Sequence, residues 1–239
     1  GGVDTCFLAE DALGRIWTNT TGSLVWYGDN DWGLLGEEEG LPHGGANVLL
    51  VDREGSLWAG GDGVHRLLGR FLWTGYTRRQ GLPAHIVWSI ARSRDGLLWA
   101  GTSGGLAVGD GKKWKLVPGT SQRQFTAFAE DPKGNLWCGP DTDPGEPARL
   151  FVHKAGTAGV EEIHPAGLQP GDSVWAMAWD PRGFLWVGAG FGLFRLAEKG
   201  GVWSATAEYI PGWPKGPGQV FCVSVGADGG VWVAAVEGL

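Results

Sequence analysis

The stretch Asp95-Gly-Leu-Leu-Trp-Ala-Gly-Thr-Ser-Gly-Gly-Leu106 is the clearest copy of a pattern that recurs along the whole chain. Every copy has a glycine three residues before a tryptophan, and most copies have an aspartate three residues before that glycine. The six tryptophans of the pattern are separated by 41, 41, 38, 49 and 46 residues, and they are Trp17, Trp58, Trp99, Trp137, Trp186 and Trp232. Six copies in one register show that the chain is built of repeats of about 43 residues.

Each repeat predicts four short strands. An apolar segment such as Val87 to Ala91 precedes the turn, and the strand after the turn carries the tryptophan. The Asp-x-x-Gly between them is typical of a tight turn, because the aspartate accepts backbone N–H groups and the glycine adopts positive φ. A Gly-rich connection leads to a third strand, and a fourth strand often carries a second tryptophan. We therefore expect the repeat tryptophans in the core and the aspartates in turns.

A four-stranded unit of roughly 40 to 45 residues is the signature of a β-propeller blade. The predicted fold is all-β, a propeller with five full repeats and a partial sixth. The expected blades are residues 1–39, 40–80, 81–121, 122–166, 167–217 and 218–239. The sixth copy stops at Leu239, where a third strand should begin, so the sequence predicts a fragment of a larger propeller.

Charge and composition exclude several function classes. The chain has 19 Lys and Arg against 26 Asp and Glu, a net charge of −7, and its basic residues are scattered, so nucleic acid is not an expected partner. No run approaches the roughly 18 apolar residues of a membrane span. The cysteines Cys6, Cys138 and Cys222 are too far apart for a Cys-x-x-Cys motif, and we expect them to be buried small hydrophobes.

The repeat resembles the two-component regulator propeller repeat. The resemblance rests on Asp95 to Leu106 and on the Gly-Leu-Pro linkers at Gly40 to Pro42 and Gly81 to Pro83. It implies an extracytoplasmic sensor region, periplasmic or extracellular, of a bacterial histidine kinase, hybrid regulator or diguanylate cyclase, and some members of the family recognise oligosaccharides. The chain departs from the family pattern at Trp17-Thr-Asn-Thr20 and in the insertion Asp141 to Pro147.

A propeller places its binding site at the mouth of the central channel, where equivalent positions of the blades meet. The position eleven residues before each repeat tryptophan is varied, whereas the position nine before is always apolar. The varied set is Cys6, Asn47, Trp88, Thr126, Trp175 and Phe221. Aromatic rings beside polar groups suit stacking on a sugar, so Trp88, Trp175, Phe221 and Asn47 are predicted to bind a small-molecule or oligosaccharide ligand. Packing between blades explains the same pattern equally well.

The loops at that rim add His43, His85 and Asp172 as hydrogen-bonding groups. The two histidines occupy matching places in adjacent blades, but no third ligand follows at a fixed spacing, so we expect no metal and no cofactor. No catalytic motif is present, which favours a binding module over an enzyme. Two alternatives stay open. One is a propeller lyase or glycosidase that uses the rim histidines and carboxylates, and the other is a scaffold for a protein partner or a homodimer.

Overall fold

The structure is a computed structural model that describes residues 7–20, 22–39, 41, 45–67, 73–209, 218–226 and 228–235. These residues form 22 β-strands and two short 3-10 helices, Glu37–Glu39 and Arg78–Gln80, so the predicted all-β class is confirmed. Neither helix in this part of the chain has the length that crossing a bilayer requires. The chain divides into two compact units, residues 1–122 and 123–239.

The first unit contains three four-stranded sheets, in each of which the strands pair antiparallel and in chain order. They are β1 (Leu8–Glu10), β2 (Ile16–Thr20), β3 (Ser23–Gly28) and β4 (Asp31–Leu35); β5 (Ala46–Val51), β6 (Leu57–Gly61), β7 (Gly63–Leu67) and β8 (Trp73–Tyr76); and β9 (Val87–Arg92), β10 (Leu98–Thr102), β11 (Gly105–Gly109) and β12 (Trp114–Leu116). The first strand of the second sheet, β5, packs against β1 and β2 on one side and β9 on the other. The sheets are therefore neighbouring blades.

The second unit contains two further four-stranded sheets and one two-stranded sheet. They are β13 (Phe125–Glu130), β14 (Leu136–Pro140), β15 (Leu150–His153) and β16 (Glu161–Ile163); β17 (Val174–Trp179), β18 (Leu185–Ala189), β19 (Gly192–Lys199) and β20 (Val202–Ala207); and β21 (Val220–Val225) and β22 (Val231–Ala235). The first strands β13, β17 and β21 pack side by side. The described residues thus form five complete blades and a partial sixth.

In each of the five complete blades, one side chain links the turn of the repeat to the core. In the second blade, Oδ1 of Asp52 accepts the backbone N–H groups of Glu54 and Ser56, and its Oδ2 accepts the indole N–H of Trp58 at 2.8 Å. Gly55 closes this turn with φ 80°. The same acceptor-to-indole bond recurs in four other blades, from Asp11 to Trp17, Ser93 to Trp99, Asp131 to Trp137 and Asp180 to Trp186. The predicted turn role of these aspartates is confirmed.

The sixth copy departs from the prediction. The first five repeat tryptophans are between 1% and 9% exposed, whereas Trp232 is 65% exposed and does not lie in the core. Gly226 stands where the other copies have aspartate or serine, so it offers no side-chain acceptor to the indole. Strand β22 is also an edge strand among the described residues. Cys138 is buried as predicted, Cys222 is exposed against the prediction, and Cys6 lies outside the described residues.

Candidate functional site

The varied position of the repeat is the extra residue of a β-bulge. Between β17 and β18, Val174 pairs with Ala189 and Ala176 pairs with Gly188, which leaves Trp175 with no opposite residue. The same shift leaves four other residues of the set unpaired, namely Asn47, Trp88, Thr126 and Phe221. A bulge turns a side chain away from the regular alternation of the strand and is frequent beside functional sites. All five side chains are half-buried.

The second unit brings two of the predicted aromatic residues together. The ring centroids of Trp175 and Phe221 are 6.3 Å apart, and the ring planes meet at 57°. The two rings come from β17 and β21, the first strands of adjacent sheets. Because both are half-buried, each keeps part of its surface in contact with solvent. This pair, hereafter the aromatic pair, is a surface on which an apolar face of a ligand can stack.

The polar bulge residues instead join neighbouring sheets. The amide of Asn47 donates to the carbonyl of Val87 at 3.3 Å, which links β5 to β9. The hydroxyl of Thr126 donates to the carbonyl of Val174, which links β13 to β17. Packing between blades, the alternative that the sequence left open, therefore accounts for part of the role of these two residues. The binding role of Asn47 stays a prediction.

Asp172 is buried and is not an exposed group of the rim. It is 1% exposed, and its Oδ1 accepts the backbone N–H of Phe191 at 3.1 Å, from the loop between β18 and β19. Its Oδ2 is buried and has no hydrogen-bond partner among the described residues. Burial raises the pKa of this carboxyl, and the backbone hydrogen bonds that it accepts only partly offset that effect. Asp172 therefore holds the loop in place, and Phe191 itself is 59% exposed at its tip.

Gly190 lies near Asp172 and Trp175, in the Gly-rich connection between β18 and β19, and the sequence did not predict it as a site residue. A Cβ at this glycine would lie 3.7 Å from Oδ1 of Asp172, 3.8 Å from the backbone nitrogen of Ser173 and 3.9 Å from Nε1 of Trp175. No other heavy atom outside its own chain neighbours comes closer to that point. The indole Nε1 of Trp175 is buried and, within the described part of the chain, has no acceptor. No sequence signal distinguishes Gly190 from the other glycines of these connections.

The remaining predicted residues lie in the first unit. Trp88 is half-buried, and its indole N–H is covered without an acceptor among the described residues. The imidazole of His85 is 62% exposed, with its Nδ1 3.5 Å from the carboxylate of Asp62. His43 lies outside the described residues, so its match with His85 stays a prediction. Over the described ranges, no cluster of three or more His, Cys, Asp or Glu residues could hold a metal ion.

The repeated antiparallel sheets, their adjacent first strands and the buried tryptophan of each complete blade define a β-propeller architecture. The family model for the Two component regulator propeller matches residues 81–104 and 168–190. Two segments of the chain therefore match the repeat of this family, and the resemblance inferred from the sequence is confirmed. The second matched segment contains Asp172, Trp175 and Gly190.

Solved propellers share this fold. The extracellular domain of the putative hybrid two component system BT4673 from B. thetaiotaomicron is 18% identical with a TM-score of 0.67, over 96% of this chain and 36% of that chain. PorZ, a surface component of the type-IX secretion system of Porphyromonas gingivalis, is 17% identical with a TM-score of 0.69, over 97% and 39%. Virginiamycin B lyase from Staphylococcus aureus is 12% identical with a TM-score of 0.72, over 97% and 78%.

At these identities the likeness shows the fold alone. The chain spans roughly a third of the length of the extracellular domains of hybrid two component systems that it matches. No curated protein sequence matches the chain.

Proposed function

We propose that this chain is the ligand-sensing propeller of a bacterial signalling protein of the two-component or cyclic-dinucleotide type, located outside the cytoplasm. The family repeats support this proposal, and so do the extracellular domains of two-component systems among the similar structures. The ligand that we propose is a neutral oligosaccharide. The observation that carries this choice is the aromatic pair of Trp175 and Phe221, whose rings meet at the bulge positions of adjacent blades.

The chemistry of the site favours a neutral ligand. Aromatic faces stack on the C–H face of a sugar ring, which needs no charge on the ligand. The net charge of −7 disfavours a strongly anionic molecule. In this proposal Trp88, Asn47, His43 and His85 are the candidate ligand contacts of the first unit.

A glycan array of neutral oligosaccharides, followed by calorimetry of the strongest binder, tests the proposal. Replacing Trp175 by Ala removes the larger ring of the aromatic pair. A stacked ring is worth roughly 1 to 3 kcal/mol by analogy with base stacking, so we expect the affinity to fall by about tenfold or more. The matched control is Trp32→Ala, because Trp32 is 67% exposed on β4 and outside the bulge set. Equal affinities for Trp175→Ala and the unmodified protein would contradict the proposal.

We further propose that the protein binds this ligand without turning it over. In support, the sequence carries no recognised catalytic motif, and Asp172, a candidate acid or base, is 1% exposed. Mass spectrometry of the bound oligosaccharide after long incubation checks this expectation. Intact ligand is the expected result, and cleavage would instead favour the lyase or glycosidase alternative. If no array member binds, the scaffold alternative takes precedence.

A further inference from the structure

Residues 141–147, hereafter the insertion, lie between β14 and β15 of the fourth blade, where the chain departs from the repeat pattern. The insertion contacts the segment that leads into β17 of the fifth blade. The backbone N–H of Gly171 donates to the carbonyl of Glu146 at 2.8 Å. The backbone N–H of Thr142 donates to the hydroxyl of Ser173 at 3.1 Å. The insertion is therefore bonded to the chain just before the strand that carries Trp175.

Ser173 is bonded by both blades at once. It is 9% exposed, and its hydroxyl donates to Oδ1 of Asp141 in the insertion. Asp141 is in turn fixed to Gln124, which directly precedes β13, because its Oδ2 accepts the side-chain amide at 3.0 Å and its N–H donates to the carbonyl at 2.9 Å. The carbonyl of Ser173 accepts the N–H of Gly190 at 2.9 Å. The fourth blade thus fixes the side chain of Ser173, and the fifth blade fixes its backbone.

Val174, the next residue, is also attached to the fourth blade. Its carbonyl accepts the hydroxyl of Thr126, which is the extra residue of the bulge in β13. Val174 is 1% exposed, and its side chain packs so closely on Gly139 of β14 that a Cβ there would overlap it. The two residues that directly precede Trp175 are therefore both bonded to the neighbouring blade.

Trp175 itself has few constraints from its own sheet. As the extra residue of the bulge between β17 and β18, it has no opposite residue. Its indole N–H has no acceptor in the part of the chain that the structure describes. Its ring nevertheless lies 6.3 Å from that of Phe221, at 57°. A bulge redirects a side chain through the local bend of the backbone, so the backbone before Trp175 matters for this arrangement.

We propose that the insertion positions the aromatic pair for its ligand. Asp141 fixes Ser173 through its hydroxyl, and Thr126 fixes the carbonyl directly before Trp175. Together these bonds set the direction in which the ring of Trp175 leaves β17. Asp141, Ser173 and Thr126 are positioning residues, since none of them needs to touch the ligand. This inference deepens the proposed function and rests on it, because it assigns the orientation of the stacking surface to the blade before the one that carries the ring.

Affinity measurements on matched variants test the positioning role. Ser173→Ala removes the bond to the insertion, and Thr126→Val removes a hydroxyl at nearly constant volume. We expect each variant to lower the affinity for the oligosaccharide selected by the array by about three- to tenfold, the effect of losing one hydrogen bond. Thr126→Ser keeps the hydroxyl and should keep the affinity.

The matched control is Ser93→Ala in the first unit. Ser93 is 2% exposed and its hydroxyl accepts the indole N–H of Trp99 at 3.0 Å. This variant should lower stability and leave the affinity unchanged, so it separates positioning from a general loss of stability.

A double-mutant cycle tests whether Ser173 acts through Trp175. If it does, the loss of affinity caused by Ser173→Ala disappears in the Trp175→Ala background. An equal loss in both backgrounds would contradict the inference. If Trp175→Ala weakens binding while neither Ser173→Ala nor Thr126→Val does, the positioning role is wrong and the aromatic pair stands. If Trp175→Ala has no effect, the proposed function fails.

A second measurement needs no ligand, namely fluorine nuclear magnetic resonance of the protein labelled with 5-fluorotryptophan. Trp175→Phe assigns the signal of Trp175, which depends on the position of its ring relative to that of Phe221. We expect this signal to shift or broaden in Ser173→Ala and Thr126→Val, and to stay unchanged in Ser93→Ala. If Ser173→Ala does not fold, Thr126→Val alone decides. A Trp175 signal that stays unchanged in the folded variants overturns the inference, whatever the affinities are.

Discussion

An aspartate and a tryptophan lie near each end of β17 (Val174–Trp179), and the hydrogen bonding of these two residue types differs between the ends. At one end, Asp180 is 2% exposed and its Oδ2 accepts the indole N–H of Trp186 at 3.1 Å. At the other end, Asp172 is 1% exposed and precedes Trp175 by three residues, yet its Oδ2 and the indole N–H of Trp175 are both unpaired among the described residues. Burial is nearly equal at the two ends, so hydrogen bonding is what distinguishes them.

The electrostatics follow this difference. Burial acts to raise the pKa of Asp180, but hydrogen bonds from Phe184, Trp186 and Arg182, together with the Arg182 charge, outweigh it and lower that pKa. Burial raises the pKa of Asp172, and the backbone bonds that it accepts do not compensate. The hydrogen bonds of Asp180 thus stabilise the folded state, whereas Oδ2 of Asp172 is an acceptor that no described residue uses. Asp180 is therefore a structural residue, whereas Asp172 is a candidate for contact with a ligand.

The largest effect should come from the tryptophans. Trp186→Ala removes a 9% exposed core side chain and should cost about 3 to 5 kcal/mol of unfolding free energy. Trp175→Ala should cost distinctly less, because that ring is half-buried. Urea unfolding followed by circular dichroism measures both. Trp232→Ala is the control, since its ring is 65% exposed and the cost should be small. Equal losses for Trp186→Ala and Trp232→Ala would remove the distinction between core and edge tryptophans.

Substitutions of the two aspartates should change the free energy of unfolding less than Trp186→Ala does. The change should be a loss for Asp180 and no loss for Asp172. Asp180→Asn places an amide where a carboxylate accepts from Trp186 and Arg182, and should cost about 1 to 3 kcal/mol at pH 7. Asp172→Asn should leave stability unchanged or raise it, because it removes a buried charge that lacks full compensation. The midpoint of urea unfolding at pH 7 measures both. A greater loss for Asp172→Asn than for Asp180→Asn would reverse the comparison.

The same two variants should differ in their dependence on pH. The pKa of Asp180 is lowered in the folded state, so its stabilisation is present above its unfolded pKa and is lost as the pH falls through the folded pKa. The pKa of Asp172 is raised, so stability falls as the pH rises from the unfolded to the folded pKa. Asp180→Asn should flatten the acidic side of the stability profile, and Asp172→Asn should flatten the region just above the ordinary aspartate pKa.

The glycines of this blade should show the smallest effect. Gly183 closes the turn beside Asp180 with φ 87° and open space around its Cβ position, so Gly183→Ala should cost about 1 kcal/mol from backbone strain alone. Gly190→Ala should be nearly neutral, because Gly190 has no positive φ. Melting temperatures of the two variants test this. A Gly190→Ala variant that melts below Gly183→Ala would show that the methyl is not accommodated at the contact distances of 3.7 to 3.9 Å around Gly190.

The fold can be predicted from the sequence because the signals that specify it are local. Asp-x-x-Gly is a turn within four residues, and the tryptophan six residues after the aspartate is within reach of the same carboxylate. Copies of this unit at a regular period then predict blades. The position of Trp175 and Phe221 was also predicted from the sequence, by its variation among the repeats, although the bulge at that position depends on how the first two strands of each sheet pair. The repeat pattern predicted a buried Trp232, because the pattern alone does not show whether another sheet packs against β22.

The amino-acid sequence by itself determined the repeat, the turn chemistry and the all-β architecture, since each depends on residues close together in the chain. Only the tertiary structure decided that Asp172 is buried, because its hydrogen bond to Phe191 joins residues 19 positions apart. The same holds for the contact between Trp175 and Phe221, which requires two adjacent sheets. Whether a buried carboxylate oxygen has a hydrogen-bond partner depends on all the groups packed around it. No local sequence pattern predicts this.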